Sequence, residues 1–441
     1  MSEQLELKAI AKMQEAGMGE AEISSFVRAL RRLVAGETAF LPEIDIAPLE
    51  DLDSLADLGT FSGDSEALSK TAVLKLNGGI GTTMGLRGPK SLLEAHDGKT
   101  FLDIAIAQVK KLREKYGVEL PFILLNSDAT EEQTAQALVG KGVEVDGIPL
   151  SVLQTVVPRL NAQTLEPIEW PANPSLEWAP PGHGDLYGVL IRSGLQDILV
   201  EKGYRYLFVA NADNLGAMPD PAIANWFAQT GADFAAEVVR RGPMDVKGGH
   251  FARLRRDNTI VLRELAQTPS DDVPYFQDIK RHAFLNTNNL WLNLESLAKL
   301  SSQGGPELPL IVNEKVVDQS VADSPRVIQL ESAMGSAVGS FAHAELLEVD
   351  NTRFIPVKKM ADLLLLRSDA FELTEDGELA DRCEARPVVD LDDTYFSRFE
   401  DFVARVPEIP SLVGCRSFTV RGDAAIPAGY VAEGDAVIAA R

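Results

Sequence analysis

Residues 72–90 read AVLKLNGGIGTTMGLRGPK, a short apolar run followed at once by a loop holding Gly78, Gly79, Gly81, Gly85 and Gly88. The apolar run Ala72–Leu76 has the length and composition of a buried strand. Glycines at this density let backbone N–H groups approach anionic oxygens without an intervening Cβ, and Lys90 closes the loop with a point charge. The same run also suits a tight structural turn. Two common nucleotide loops do not fit the spacing. Pro89 stands before Lys90 where the Walker pattern needs glycine, and Met84 stands where the dinucleotide fingerprint needs its third glycine.

Outward from this loop, short apolar runs alternate with helical stretches. Strands are expected at Ala72–Leu76, Phe122–Leu125, Tyr206–Ala210 and Phe234–Val239, and helices at Phe101–Tyr116, Glu131–Leu138 and Leu186–Leu199. Such alternation predicts an α/β sheet, mostly parallel, with helices on both faces, whose ligands lie beyond the carboxyl ends of the strands. Gly249–Gln267 interrupts the pattern as an inserted hairpin. Residues 2–35 read as two helices, the second burying Ile23, Phe26, Val27, Leu30 and Leu33 on one face. Leu41 to Ser69 reads as an irregular connection without chemical signal. After residue 385, short apolar pairs punctuated by Gly414, Gly422, Gly429 and Gly434 suit a coil or two of β-helix.

Bulk properties narrow the function classes. The 441 residues are 45% hydrophobic and 24% charged, ordinary values for a folded protein. A net charge of −24 argues against a nucleic-acid partner. No apolar run is long enough for a membrane span, and the N-terminus has no secretion signal, so the expectation is a cytoplasmic protein with no membrane partner. Cys383 and Cys415 match no metal-binding spacing and read as reduced structural thiols.

The loop LNGGIGTTMGLRGPKS resembles the signature loop of the eukaryotic-type UTP–glucose-1-phosphate uridylyltransferase (UDP-glucose pyrophosphorylase) family. The similarity continues in order through QTVVPRLNAQTLEP (154–167), PPGHGDLYGVL (180–190), VANADNLGA (209–217) and DVKGG (245–249). It extends to NTNNLWL (286–292), QLESAMGSAVGSF (329–341) and RFIPVKKMADLLLL (353–366). The resemblance implies a Rossmann-like, GT-A-like nucleotidyltransferase sheet at 70–384, an N-terminal helical segment at 1–69 and a short left-handed β-helix at 385–441. It implies UTP and glucose 1-phosphate as substrates, UDP-glucose and pyrophosphate as products, and Mg2+ as cofactor. A homo-oligomer formed through the C-terminal domain is a further expectation.

By the same resemblance, UTP is held by Leu76, Asn77, Gly78, Gly79, Lys90, Gln154, Gly182, Asp213 and Lys358, with Gln154 pairing with uracil through its amide. Glucose 1-phosphate falls to Gly78, Gly79, His183, Asn211, Ala212, Asp213, Asn286, Asn288, Glu331 and Lys247. Asp213, at the end of an apolar strand, is the metal ligand, a hard oxygen donor suited to Mg2+; an Asp in that place could equally cap the next helix. Lys358 and Lys90 are the catalytic cations, Lys358 following the strand-like RFIPV. His183 is assigned to binding without proton transfer. Related bacterial enzymes carry an arginine where this chain has Thr83, and Leu285 replaces the Phe usual in the family. Two alternatives share the fold: a UDP-sugar pyrophosphorylase for galactose or N-acetylglucosamine 1-phosphate, and a non-catalytic nucleotide-sugar sensor.

Overall fold

The computed structural model describes residues 2–61, 65–81, 84–318, 320–321 and 323–440. The chain is a mixed α/β protein that groups into two units, each assembled from segments far apart in sequence. Among the described residues no helix is long and apolar enough to cross a membrane.

One unit comprises Leu58–Val152, Tyr206–Trp226 and the chain from Val349 onward. Its Thr71–Leu76 strand lies between Tyr206–Asn211 and Phe122–Asn126, parallel to both. All three are buried along most of their length, as expected of a parallel sheet covered on both faces. Leu76 stands opposite both Asn211 and Leu125, so the three strands end level and their following loops emerge along one edge. Helix Phe101–Tyr116 is set by local chemistry. The Thr100 hydroxyl accepts from Asp103 N while the Asp103 carboxylate accepts from Thr100 N, and Gly117 ends the helix at φ 63°. Its Phe101 and Ile104 share a core with Leu363, Leu364 and Leu366 of helix Met360–Arg367 and with Phe396, Phe402, Phe418 and Val420 of the C-terminal region. There Val388–Leu391, Cys415–Arg421 and Gly434–Ala439 form a parallel three-stranded sheet.

The other unit comprises the chain up to Asp57, Leu153–Arg205 and Phe227–Glu348. Strand Phe234–Arg240 pairs antiparallel with Phe284–Asn293 and parallel with Ala344–Glu348, which makes this sheet mixed. The expected hairpin is present as His250–Leu254 against Ile260–Arg263. Helices Ser2–Glu15 and Glu20–Val34 bury Leu5, Ala9, Met13, Phe26 and Leu30 against Val157, Leu160, Leu310 and Leu330.

Three local expectations are corrected. Leu186–Leu199 is not one helix but two, Leu186–Arg192 and Leu195–Glu201, because Gly194 adopts φ 70° between them. RFIPV is not a strand: its backbone pairs with no neighbouring strand among the described residues. The 41–69 stretch is not chemically mute. Glu43 is buried and accepts from Arg263 (2.7 Å), Arg281 (2.5 Å) and His282 (3.1 Å), while its own N–H donates to Asp272. The Arg263 side chain is fully buried, and the His282 ring stacks on His250 at 3.9 Å.

Candidate active site

Within the unit that carries the glycine loop, three chain segments meet at the carboxyl edge of the parallel strands. The loop after Leu76 is anchored at its start: Asn77 N donates to Leu125 O, Asn77 Nδ2 to Asn126 Oδ1 (2.7 Å), and Ser127 Oγ to Gly78 O (2.8 Å). Asn77 is therefore buried and turned toward the neighbouring strand, shaping the loop behind Gly78. A Cβ on Gly79 would meet nothing within 4 Å, so this glycine faces open space. Gly81, by contrast, sits at φ 59° and packs against Leu86. Thr83 lies outside the described residues.

At the far end of the loop Lys90 N donates to Gly79 O, and the Lys90 ammonium donates to Asp213 Oδ2 at 2.5 Å and to the carbonyl of Val357. One lysine thus joins the phosphate-loop candidate, the candidate metal ligand and the residue preceding Lys358. Lys358 is exposed, and its ammonium has no hydrogen-bond or ion-pair partner among the described residues. Its own N–H donates to Asp362 Oδ2 (2.7 Å), which fixes the start of helix Met360–Arg367 beneath it. Asp213 does not cap the next helix; Asp220 does, accepting from Ala222 N at 2.7 Å. Asn211 ends its strand, and Ala212 N donates to Leu76 O, placing both on the same edge.

Among the described residues no group of three or more His, Cys, Asp or Glu could hold a metal ion. Asp213 is instead a single carboxylate at a strand end, its side chain partly exposed. That donor set fits a hard cation which completes its shell with water and substrate phosphate oxygens.

The second unit gathers the remaining candidates. Gly182 has φ 78°, and a Cβ there would lie 2.5 Å from Ser332 O and 2.8 Å from Ser332 N, so only glycine allows this approach. Two backbone bonds, Ser332 N to Pro181 O and Gly184 N to Ser332 O, stitch PPGHG to the end of strand Arg326–Glu331. Glu331 is thereby brought beside Gly182. His183 Nδ1 accepts from Met334 N at 2.9 Å, which leaves the ring proton on Nε2. Desolvation pushes the His183 pKa down to about 4, so the imidazole is a neutral donor at physiological pH. Thr155 donates through N and Oγ1 to Asp185 Oδ2, both at 2.8 Å, and so pins the residue after Gln154 to the HGD turn.

Asn286 and Asn288 sit at an irregularity in strand Phe284–Asn293, where pairing to Glu237 and Val238 skips Thr287 and Asn288. Asn288 takes φ 61°, its N–H donates to Asn286 Oδ1, and Asn286 Nδ2 donates to Asn288 Oδ1 at 2.9 Å. Asparagine tolerates this left-handed geometry better than most residues, and a bulge re-aims side chains at a ligand face. Asn286 N donates to Gly249 O, bringing the DVKGG turn alongside, with Lys247 exposed on it. Leu285 packs where a Cβ on Gly248 would fall, at 2.3 Å.

The sequence did not single out Asn126, Ser127, Asp185 or Ser332. Each acts by holding a candidate rather than facing a ligand, and only the position of Asn126 and Ser127 directly after a predicted strand hints at it.

A phosphate-type loop and a strand-end carboxylate on one sheet edge place the chain among nucleotide-using transferases, and comparison with known proteins defines it further. The family model for UTP–glucose-1-phosphate uridylyltransferase matches residues 23–430. A probable UTP–glucose-1-phosphate uridylyltransferase of Schizosaccharomyces pombe is 38% identical over 88% of this chain and 76% of its own length. The Musa acuminata UTP–glucose-1-phosphate uridylyltransferase is 36% identical over 98% and 94%. Among solved structures, the Leishmania major UDP-glucose pyrophosphorylase superposes with a TM-score of 0.93 at 42% identity, covering 99% of this chain and 95% of that one. A Leishmania major variant crystallised with UDP-glucose gives 0.91 at 42% identity, covering 99% and 94%. This chain belongs to the UTP–glucose-1-phosphate uridylyltransferase family, a family of nucleotidyltransferases.

Proposed function

We propose that this chain transfers the uridylyl group of UTP to glucose 1-phosphate. A phosphate oxygen of glucose 1-phosphate bonds to the α-phosphorus of UTP as the bond from that phosphorus to the bridging oxygen breaks, and pyrophosphate leaves. The chemistry asks for alignment and charge neutralisation more than for a protein nucleophile or base. The observation that carries the reading is the Lys90 ammonium shared between Asp213 and the Val357 carbonyl, which sets Lys90, Asp213 and Lys358 on one edge behind an open glycine loop.

In this reading the backbone from Leu76 to Gly79 receives the nucleotide phosphates, and Lys90 neutralises them. Lys358 meets the charge that grows at the α-phosphate. Gln154 and the Gly182 backbone hold uracil, while Asn211 and Ala212 flank ribose and sugar. His183 donates from Nε2 to the sugar phosphate. Asn286, Asn288 and Glu331 take the glucose hydroxyls, and Lys247 a phosphate. Asp213 holds Mg2+, which when bound supplies positive charge to the phosphate oxygens.

We retain the division into a helical segment at 1–69, a catalytic region at 70–384 and a C-terminal region at 385–441. The three parallel C-terminal strands support reading that region as a short left-handed β-helix. We assign it a role in homo-oligomer contact: charged substitutions at its exposed Val413, Val431 and Val437 should lower the number of subunits per particle in light scattering, and an unchanged number removes that role. We place the enzyme in the cytoplasm, whose reducing poise suits the two free cysteines, Cys383 and Cys415.

The test is pyrophosphate release from purified protein supplied with UTP, glucose 1-phosphate and Mg2+, beside a Lys358→Ala control. Release that needs all three components and collapses in the control supports the assignment. Folded protein that binds UTP without release points to a nucleotide-sugar sensor. Parallel assays with galactose and N-acetylglucosamine 1-phosphates decide the sugar, and a preference for either overturns the glucose assignment.

A further inference from the structure

We infer that Asn214 is a positioning residue that couples Asp213 to Lys358, holding the lysine-bearing segment in register with the carboxylate. The inference rests on the catalytic reading of Lys358 above. Asn214 is 1% exposed, immediately after Asp213, and both ends of its side-chain amide are engaged by one stretch of backbone. Its Nδ2 donates to Arg353 O at 3.1 Å, and its Oδ1 accepts from Ile355 N at 2.9 Å. A carbonyl and an N–H two residues apart are the pair that a neighbouring strand would normally satisfy. The apolar run RFIPV has no such strand, and the Asn214 amide takes its place.

Three other contacts press the same two segments together. Arg353 Nη2 donates to Met218 O at 2.8 Å. A Cβ on Gly216 would stand 2.1 Å from Thr352 O, so the backbones approach as closely as a missing side chain permits. The buried ammonium of Lys75, in the strand that feeds the glycine loop, reaches the carbonyl oxygens of Ala217 and Asn214 and so braces the first of these segments alone. Lys90 then closes the far side through Asp213 and Val357 O. Asn214 contributes no free polar group to a ligand. Its effect on the reaction runs through where Lys358 stands relative to Asp213, three residues beyond Ile355. A displacement of about 1 Å at a reacting centre can cost on the order of a hundredfold in rate.

The experiment is a double-mutant cycle on kcat, with KM for UTP and thermal unfolding measured alongside. Asn214→Ala should lower kcat by about ten- to a hundredfold while KM for UTP moves less than about threefold. In a Lys358→Ala background the same substitution should change kcat by less than about twofold, because the group it positions is gone. If Asn214→Ala does not fold, the cycle is run with Asn214→Asp, which keeps the volume and the acceptor for Ile355 N–H. Losses that multiply independently, or a loss confined to KM or to unfolding temperature, overturn the coupling. If Lys358→Ala itself keeps the full rate, the catalytic reading of Lys358 fails and the coupling falls with it. If Lys358→Ala collapses while the factors still multiply, the coupling alone fails.

Discussion

Nζ of Lys90 stands 2.5 Å from Oδ2 of Asp213, and the side chains are only 17% and 19% exposed. A half-desolvated pair of this kind is stronger than a surface ion pair and holds two catalytic candidates in one place. Under the proposed function a cation at Asp213 and a nucleotide at Lys90 would each compete with this pair.

Replacing Lys90 by Ala should therefore reduce kcat/KM for UTP by on the order of a hundredfold or more, the cost of losing one well-placed donor to developing phosphate charge. Lys90→Arg should not restore it, since a planar fork cannot replace a compact ammonium shared between Asp213 and the Val357 carbonyl. Steady-state pyrophosphate release checks both. An arginine variant with wild-type rate would remove the geometric argument.

His183 makes a prediction about pH. Its folded-state pKa of about 4 lies below the ordinary histidine value near 6.5, because burial disfavours the charged ring. Above pH 6.5 folded and unfolded forms are both neutral, and the group contributes no pH dependence. As pH falls from about 6.5 toward 4 the unfolded chain takes up a proton that the folded one refuses, so stability drops across that window. His250 and His282 are depressed as well, so the informative quantity is a difference. Urea denaturation of wild type and His183→Gln at pH 7 and pH 5 should show a smaller loss in the variant. Equal losses would mean that the folded chain does not hold the His183 ring neutral.

Gly182→Ala combines a positive φ with a Cβ driven onto the Ser332 backbone at 2.5 Å. Such strain costs about 1–3 kcal/mol, and here it must also displace the PPGHG turn from strand Arg326–Glu331. Both the denaturation midpoint and the affinity for UTP should fall, by denaturation and by titration calorimetry respectively. Stability loss with unaltered UTP binding would separate Gly182 from the base site.

Glu43→Ala should destabilise the fold by about 3 kcal/mol, because it removes the carboxylate from between Arg263, Arg281 and His282, leaving the buried Arg263 guanidinium under-compensated and the His282 N–H without its acceptor. Asp272, 3.3 Å from Arg263, keeps the loss from being larger. The rate per folded molecule should hold, since Glu43 is no part of the proposed chemistry.

The glycine loop was legible because glycine spacing and the strand before it act through neighbouring residues. The same holds for helix Phe101–Tyr116, whose cap, apolar face and terminal Gly117 are all written within a few positions of each other. What the sequence concealed is non-local. Glu43 looks like one more solvated acid in an acidic stretch, and its partners lie some 220–240 residues away. RFIPV has strand composition, yet its partner is the side chain of Asn214 rather than a strand. Asn286 and Asn288 read from sequence as sugar-hydroxyl partners; the left-handed φ of 61° at Asn288 adds a backbone reason for asparagine there that the sequence does not display. Gly194 was visible throughout, and only its φ of 70° separates a helix break from a tolerated helical glycine.

The long reach of Glu43 bears on how the chain folds as it leaves the ribosome. Its last partner, His282, is synthesised 239 residues later. At about 5–20 residues per second that is a delay of roughly ten to fifty seconds. Throughout that interval Glu43 lacks its full set of partners, and Leu5, Phe26 and Leu30 on their helices lack the Leu310 and Leu330 part of the core they share. These helices can pack on each other and on Val157 and Leu160 early, but part of their apolar surface stays uncovered until the chain around Leu310 and Leu330 has been made, so a pause in synthesis before that point prolongs its exposure.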